Sequence, residues 1–229
     1  MINQMDAADK WLVQRWTKFT SSEIYKLLYG GSKPGDIFGA GAMTYIKRKA
    51  LEMSILVQER YELEEVESLL HGKVYERPAF EWYINETKDF DMNHMGSENP
   101  IFLDYEPLIG ESGGSPDALN LRKDATVKKF AEIKCPKNSM YHFDRLIWKS
   151  QWDLKEKYLS CYAQMQHLLM ITGAESGDFV SFDDRQAKKD KKGKIIEVFP
   201  DKKFQDNLDL RIRLAIKEKY RIFEMHMAS

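Results

Sequence analysis

The chain is poor in cysteine. Among 229 residues there are two, Cys135 and Cys161, too few for a structural zinc site or an iron–sulfur cluster of their own. Each reads as a small packed residue in a reducing compartment. No run of about 18 apolar residues occurs, which excludes a transmembrane helix. The N-terminal stretch Met1 to Asp6 is polar and lacks the apolar centre of a signal peptide. No internal repeat and no long low-complexity linker divides the sequence, and none of the five histidines has metal-pair spacing. A charge excess is also missing. Lys and Arg total 35 against 36 Asp and Glu, a net −1. A protein that coats a nucleic acid over its whole surface is normally strongly basic. Any such contact here must come from a local basic lining, and an enzyme of small anionic substrates fits the balance equally.

What is present points to a globular chain. Hydrophobic residues make up 43% and there are five tryptophans, enough to bury a sizeable core. Residues 1–229 are read as a single domain. The first third has helical patterning. A helix from Ser22 to Tyr29, capped by Thr20 or Ser21, ends at Gly30-Gly31. A second is expected over Ala42 to Val57. A charged link from Glu59 to Glu67 leads to a third, over Leu69 to Asn85, which Pro78 interrupts or restarts. The middle is strand-rich, with candidates at Pro100–Tyr105, Leu108–Glu111, Asp117–Leu121 and Lys128–Cys135. One long helical segment follows over Leu154 to Thr172. Phe179–Phe182 and Ile195–Phe199 form a strand pair around the basic tract Lys188 to Lys194, read as a solvated hairpin tip. An amphipathic helix closes the chain over Phe204 to Met225.

The chemistry concentrates between Gly113 and Pro136. Ser115-Pro116-Asp117 lies in a turn-rich stretch that opens one apolar run. Glu132-Ile133-Lys134 lies in the next, fifteen residues after Asp117. On a strand, residues two apart share a face, so Glu132 and Lys134 point one way and Ile133 the other. Alone, a Glu-x-Lys on a strand is an ordinary surface ion pair. With Asp117 at the start of the same hairpin it becomes two hard-oxygen ligands beside a lysine. That is the minimum for metal-assisted phosphodiester hydrolysis.

This string resembles the Pro-Asp…(Asp/Glu)-x-Lys nuclease superfamily and, within it, the phage lambda exonuclease family of viral recombinase nucleases. Three further blocks match in order. Trp11-Leu12-Val13-Gln14-Arg15 with Thr20-Ser21-Ser22-Glu23 is similar to the segment that holds a 5′-terminal phosphate. Gly72-Lys73-Val74-Tyr75-Glu76 is similar to a helix that supplies a glutamate to the metal centre. Ala163-Gln164-Met165-Gln166 is similar to the helix that follows the active strand. Gln166 lies about 200° from Gln164 around a helix and faces elsewhere. Tyr162 and His167 are read as packing residues.

The resemblance implies an α/β fold, a restriction-endonuclease-like central mixed sheet flanked by helices. It implies a catalytic set of Glu76, Asp117, Glu132, Lys134 and Gln164. Arg15, Ser22 and Ser115 would bind a 5′-phosphate. A magnesium ion, with manganese as a substitute, would be held by Asp117, Glu132, Glu76 and the main-chain carbonyl of Ile133. The implied activity is 5′-to-3′ degradation of linear double-stranded DNA, leaving 3′ overhangs for recombination by single-strand annealing. The implied partners are DNA ends, two further copies in a homotrimeric ring, and a single-strand annealing protein, with no membrane. The implied setting is the cytoplasm of a bacterial host, the gene being carried by a phage or prophage. An endonuclease or repair nuclease of the same fold, and a non-catalytic DNA-end-binding module, are the alternatives. One departure is Ala118 after the aspartate, where the family commonly has glycine, which leaves that turn less freedom.

Overall fold

A computed structural model describes residues 7–33, 35–55, 67–96 and 99–228. A five-stranded mixed sheet forms the centre. Its strands are β2 (Asn93–His94), β5 (Ala118–Leu121), β6 (Val127–Lys134), β7 (Ser176–Phe182) and β8 (Gly193–Val198), in the order β2-β5-β6-β7-β8. Only β6 and β7 run parallel, Lys134 beside Ser181; the other neighbours are antiparallel. A parallel pair needs a long crossover. Here it is α4 (Ser139–Arg145), α5 (Gln151–Lys157) and α6 (Leu159–Thr172). A smaller sheet, β1 (Phe19–Thr20), β4 (Ser112–Gly114) and β3 (Leu103–Asp104), lies in the order β1-β4-β3. The remaining helices are α1 (Ala7–Arg15), α2 (Ala40–Glu52), α3 (Glu67–Thr87) and α7 (Lys202–Met227).

Apolar side chains sort these elements into layers. On one face of the sheet, Phe130 and Phe179 pack with Tyr162, Met165 and Leu169 of α6. On the other, Ala131, Ile133 and Val180 pack with Ala79, Phe80 and Tyr83 of α3. A third cluster joins α2, α7 and the Ile24–Leu28 segment through Ile46, Ile212 and Leu27. Among the described residues no helix is long and apolar enough to cross a membrane. Cys135 and Cys161 are free and buried.

Several elements depart from their sequence expectations. The helix expected at Ser22–Tyr29 is a short 3₁₀ turn, Ile24–Leu28. Three residues per turn put Ile24 and Leu27 on one face, and both are fully buried. Neither Thr20 nor Ser21 caps it through a side chain; Thr20 belongs to β1. Pro78 does not interrupt α3, which runs through it. Pro78 sits on the exposed side, so the carbonyl it strips of a partner, that of exposed Val74, faces water. Leu108–Glu111 is not a strand. A 3₁₀ turn covers Glu106–Leu108, Gly110 takes a positive φ of 79°, and the strand begins at Ser112.

The single helix expected over Leu154–Thr172 is two. Ser150 and Asp153 form a capping box that starts α5, and the chain breaks at Tyr158, with φ −145° and ψ 59°, before α6. Ala118 is extended strand, so no glycine is needed there. The Lys188–Lys194 tract joins β7 to β8 with a 3₁₀ turn at Lys189–Lys191. The second expected helix is α2, which begins at Ala40 and stops at Glu52, short of Val57; most of the Glu59–Glu67 link lies outside the described residues.

Candidate active site

The site forms where β5, β6, α3 and α6 meet the end of β4. Asp117 is the residue before β5. Its main-chain N–H donates to Ala131 O at 3.1 Å, its carbonyl accepts from Met95 N at 2.8 Å, and its Oδ2 accepts from Ile133 N at 2.7 Å. The hairpin that was legible in the sequence thus closes with the Asp117 carboxylate laid on the backbone of the Glu-x-Lys strand. Glu132 is 2% exposed. Its Oε1 accepts a hydrogen bond from Lys134 Nζ and another from Gln164 Nε2, the latter at 2.6 Å. Ile133 packs against α3 on the opposite face, as strand alternation requires. The carboxylate of what would have been a surface ion pair is buried, while its lysine stays partly open to the cleft.

Burying so much negative charge has consequences. Burial, then repulsion from Glu132, lifts the Asp117 pKa well above the carboxylate range; Lys134 only partly opposes this. Burial likewise raises Glu132 despite its contact with Lys134. For Lys134, burial alone would lower the pKa, but Glu132 and Asp117 outweigh it and the ammonium is held protonated. Glu132 Oε2 is buried and has no hydrogen-bond partner. An orphaned anionic oxygen beside a second raised carboxylate fits a hard divalent cation, whose charge would offset the repulsion. Glu76 projects from α3 to the same cleft, where its Oε1 meets His94 Nε2 at 2.9 Å. Among the described residues, no three Asp, Glu, His or Cys side chains close into a complete metal cage. The donors on offer are Asp117, Glu132 and, across the cleft, Glu76, with the Ile133 main chain between the first two.

Arg15, Ser22 and Ser115 line the same cavity, about 330 Å³ in volume, as Glu76, Asp117, Glu132, Lys134 and Gln164. Arg15, at the end of α1, has its guanidinium 4.0 Å above the Trp11 ring and donates to Ser22 Oγ at 3.4 Å. Trp11 Nε1 donates to Ser115 Oγ at 2.8 Å. Burial lowers the Arg15 pKa somewhat, against the pull of Tyr45, Glu23 and Glu132. Because the segment after Ser22 is a short 3₁₀ turn, a helix dipole adds little, and anion binding there rests on Arg15 and the two hydroxyls. Gln166 faces away, as its helical angle requires. It bonds Phe199 O, Asp201 N and Gln205 on the other side of α6.

Three residues make contacts at the site that the sequence does not reveal. His94 sits in a two-residue strand with no periodic pattern, yet it holds Glu76 and stacks on Phe80. Trp11 belongs to the quoted N-terminal block, but its hydrogen bond to Ser115 spans 104 residues. His167 is fully buried, as a packing residue would be, and its ring bridges Ser21 Oγ at 2.8 Å and Ser112 Oγ at 3.1 Å. It thereby fastens α6 to β4 and to the Thr20–Ser22 turn. Gly114 permits this approach, because a Cβ there would stand 2.0 Å from Ser21 Oγ. Spacing along a chain carries no signal for such contacts.

Residues 10–175 match the YqaJ-like viral recombinase domain. No curated protein sequence matches. Among solved structures, an alkaline exonuclease from Laribacter hongkongensis superposes with a TM-score of 0.75 at 22% identity, covering 96% of each chain. The same enzyme in complex with dAMP gives 0.72 at 22%, over 95% of each chain. A phage-related exonuclease from Haemophilus somnus 129PT gives 0.68 at 13%, over 91% of this chain and 96% of that one. At these identities the likeness establishes the fold, which is restriction-endonuclease-like. The matched span carries Arg15, Glu76, Asp117, Glu132, Lys134 and Gln164 together, and the chain belongs to the YqaJ-like viral recombinase family, that of lambda exonuclease.

Proposed function

We propose that the chain is a magnesium-dependent deoxyribonuclease, with manganese as a substitute, that degrades one strand of linear duplex DNA from a 5′-phosphorylated end. The observation that carries the reading is one cleft holding an arginine–hydroxyl pocket next to the Asp117–Glu132–Lys134–Gln164 cluster. Family membership supports a nuclease acting on DNA. The dAMP bound to the Laribacter enzyme is a deoxynucleoside monophosphate, the product class such a reaction releases.

Arg15, Ser22 and Ser115 hold the terminal phosphate, the guanidinium forking onto its oxygens. Asp117 and Glu132, with Glu76 and the Ile133 carbonyl, would hold the cation. When bound, that ion neutralises phosphate charge and acidifies water. Lys134, kept protonated by its carboxylate neighbours, donates to the attacking water or the scissile phosphate and so orients the reaction. Gln164 fixes Glu132 while leaving Oε2 free for the ion. Water oxygen bonds to phosphorus and gives up a proton to solvent, and the 3′ oxygen of the terminal nucleotide leaves and takes up a proton to become a hydroxyl. The shortened strand keeps a 5′-phosphate that the Arg15 pocket can take again.

The 3′ overhang would serve phage-type recombination through a single-strand annealing protein, in the cytoplasm of a bacterial host. A ring of three copies around the duplex would give processivity by topology, which suits a net charge of −1. The test is digestion of 5′-phosphorylated linear duplex and of closed circular DNA, with and without magnesium. Loss of the linear substrate only, and only with the metal, is expected. Cutting of circles would favour an endonuclease of the same fold. Binding of ends without release of nucleotides would leave a non-catalytic module.

A further inference from the structure

Arg15 owes its place less to its own contacts than to the turn that follows it. Its stacking partner Trp11 lies on the same helix, and its bond to Ser22 is long, at 3.4 Å. Trp11 ties the first half of α1 to Ser115. The other end, which carries Arg15, depends on residues 16–18, the turn between α1 and β1.

Thr17 in this turn has a φ of 64°. Among the described residues it is the one β-branched side chain with a positive φ. Such a residue avoids that region, and a fold keeps it there only where surrounding contacts over-determine the backbone. Those contacts are present. Thr17 N–H donates to Glu52 Oε2 at 2.9 Å, and Thr17 O accepts from Lys219 Nζ at 3.2 Å. Trp16 Nε1 donates to the Glu52 carbonyl at 2.7 Å.

Each gripping ion has a counter-ion behind it. Lys49 Nζ lies 2.9 Å from Glu52 Oε2, and Lys219 Nζ also donates to Glu111 Oε2. A row of alternating charge therefore runs Lys49, Glu52, Lys219, Glu111, with the main chain of Thr17 at its centre. The carboxylate faces the donor of Thr17 and the ammonium faces its acceptor. Lys219 is 1% exposed and Lys49 5%, and lysines are rarely so buried. Charge pairing alone would be met by Lys49 with Glu52 and Lys219 with Glu111. Joining α2 to α7 is already done by apolar packing through Ile46 and Ile212. What the row adds is a hold on the residue that links α1, with Trp11 and Arg15, to the strand that leads into Ser22.

We infer that Glu52 and Lys219 are positioning residues of the 5′-phosphate pocket. They act through the Thr17 main chain and fix α1 so that the Arg15 guanidinium faces Ser22 Oγ. Neither lines the cavity itself, so neither touches the phosphate. The inference rests on the phosphate-pocket reading above.

The test compares affinity for 5′-phosphorylated and 5′-hydroxyl duplex by fluorescence anisotropy, with calcium replacing magnesium. Wild type should prefer the phosphorylated end. Glu52→Ala and Lys219→Met should each shrink that preference by about tenfold, the scale of a binding group slightly misplaced, and leave affinity for the hydroxyl end unchanged. Glu52→Gln should restore the preference, because its amide oxygen still accepts from Thr17 N–H. Thr17→Gly should keep it too, since both contacts are to the main chain and glycine adopts this φ without strain. In an Arg15→Ala background, Glu52→Ala should alter the ratio no further. Glu197→Ala on β8, which removes a partner of Lys129 and Ser176, shows what lost stability alone does, and should leave the ratio as it is. Glu52→Ala, at the less buried of the two positions, decides the matter should Lys219→Met fail to fold.

A wild-type ratio in folded Glu52→Ala, with the ratio lost in Arg15→Ala, would overturn the inference and leave the pocket standing. Equal affinity of wild type for the two ends would sink the pocket reading and the inference with it. A phosphate preference that needs Glu52, without magnesium-dependent hydrolysis, would sink the nuclease reading and keep the grip on Thr17.

Discussion

Gln164 Nε2 donates to Glu132 Oε1 at 2.6 Å, pinning helix α6 to the strand that carries the Glu-x-Lys pair. The bond crosses 32 residues and closes the loop made by the β6–β7 crossover. It occupies one carboxylate oxygen and leaves the other, Oε2, buried and unpaired. Gln164 and Lys134 together hold Oε1 and so leave Oε2 as the oxygen without a partner.

Replacing Gln164 should test that division. In Gln164→Ala, Glu132 is restrained by Lys134 alone and can turn either oxygen to the cleft. A hydrogen bond to a charged group contributes roughly 1.5–3 kcal/mol, so a ten- to hundredfold fall in cleavage rate is expected. The magnesium concentration for half-maximal activity should rise with it. Unchanged kinetics and metal dependence would remove Gln164 from the site.

Lys134→Ala should abolish cleavage while DNA-end binding persists. Loss of a group acting on the attacking water typically costs about 10²–10⁴-fold. Single-turnover rates and fluorescence anisotropy with a 5′-phosphorylated duplex separate the two effects. Near-normal turnover would take Lys134 out of the mechanism.

Asp117→Asn and Glu132→Gln should each lose activity yet stabilise the metal-free protein. Both carboxyl pKa values are raised by burial, so the folded state holds these protons more firmly than the unfolded chain. In chelator, stability falls as pH rises from about 4 through the raised values, and the neutral variants escape that loss. At neutral pH their Tm should exceed that of wild type, by roughly 2–4 °C for each kcal/mol relieved. Magnesium should raise the Tm of wild type and not of Asp117→Asn. A lower Tm for both variants in chelator would contradict the electrostatic account.

Arg15 separates a 5′ exonuclease from a generic nuclease of this fold. Wild type should digest 5′-phosphorylated duplex much faster than 5′-hydroxyl duplex. Arg15→Ala should slow only the former, shrinking the ratio towards one, by about ten- to a hundredfold for lost charge-assisted bonds. Equal slowing on both substrates would mean that Arg15 serves folding or general DNA contact.

His167 should make the fold acid-sensitive. Burial holds its pKa down at about 3, so the ring stays neutral between Ser21 and Ser112 while the unfolded chain takes up a proton below about 6.5. That part of the stability is complete above pH 6.5 and is lost as pH falls towards 3. Compared with His167→Gln, wild type should lose about 1.4 kcal/mol per pH unit in that window. Denaturant melts at pH 5 and 7 measure it, and a pH-independent difference would show that His167 does not titrate as argued.

Much of the site was legible because its core is local. Asp117, Glu132 and Lys134 lie in one hairpin, and strand alternation alone places Glu132 and Lys134 on the face away from Ile133. Helical periodicity separated Gln164 from Gln166 in the same way. Element boundaries were less legible. The Ser22–Tyr29 helix, the break at Tyr158 and the passage of α3 through Pro78 turn on which side of each segment is buried, and that is set by the partner packed against it.

Local sequence sets the alternation of β6, the hairpin around Asp117, the amphipathic α7 and the family blocks, since each depends on residues within one or two neighbouring elements. Only the packing of distant elements buries the Glu132 carboxylate beside Lys134. It also decides that Glu76 meets His94, that Trp11 holds Ser115, and that His167 bridges Ser21 and Ser112. These contacts join segments up to 146 residues apart. Their energies come from desolvation and hydrogen-bond geometry, which exist only once distant elements have packed and excluded water.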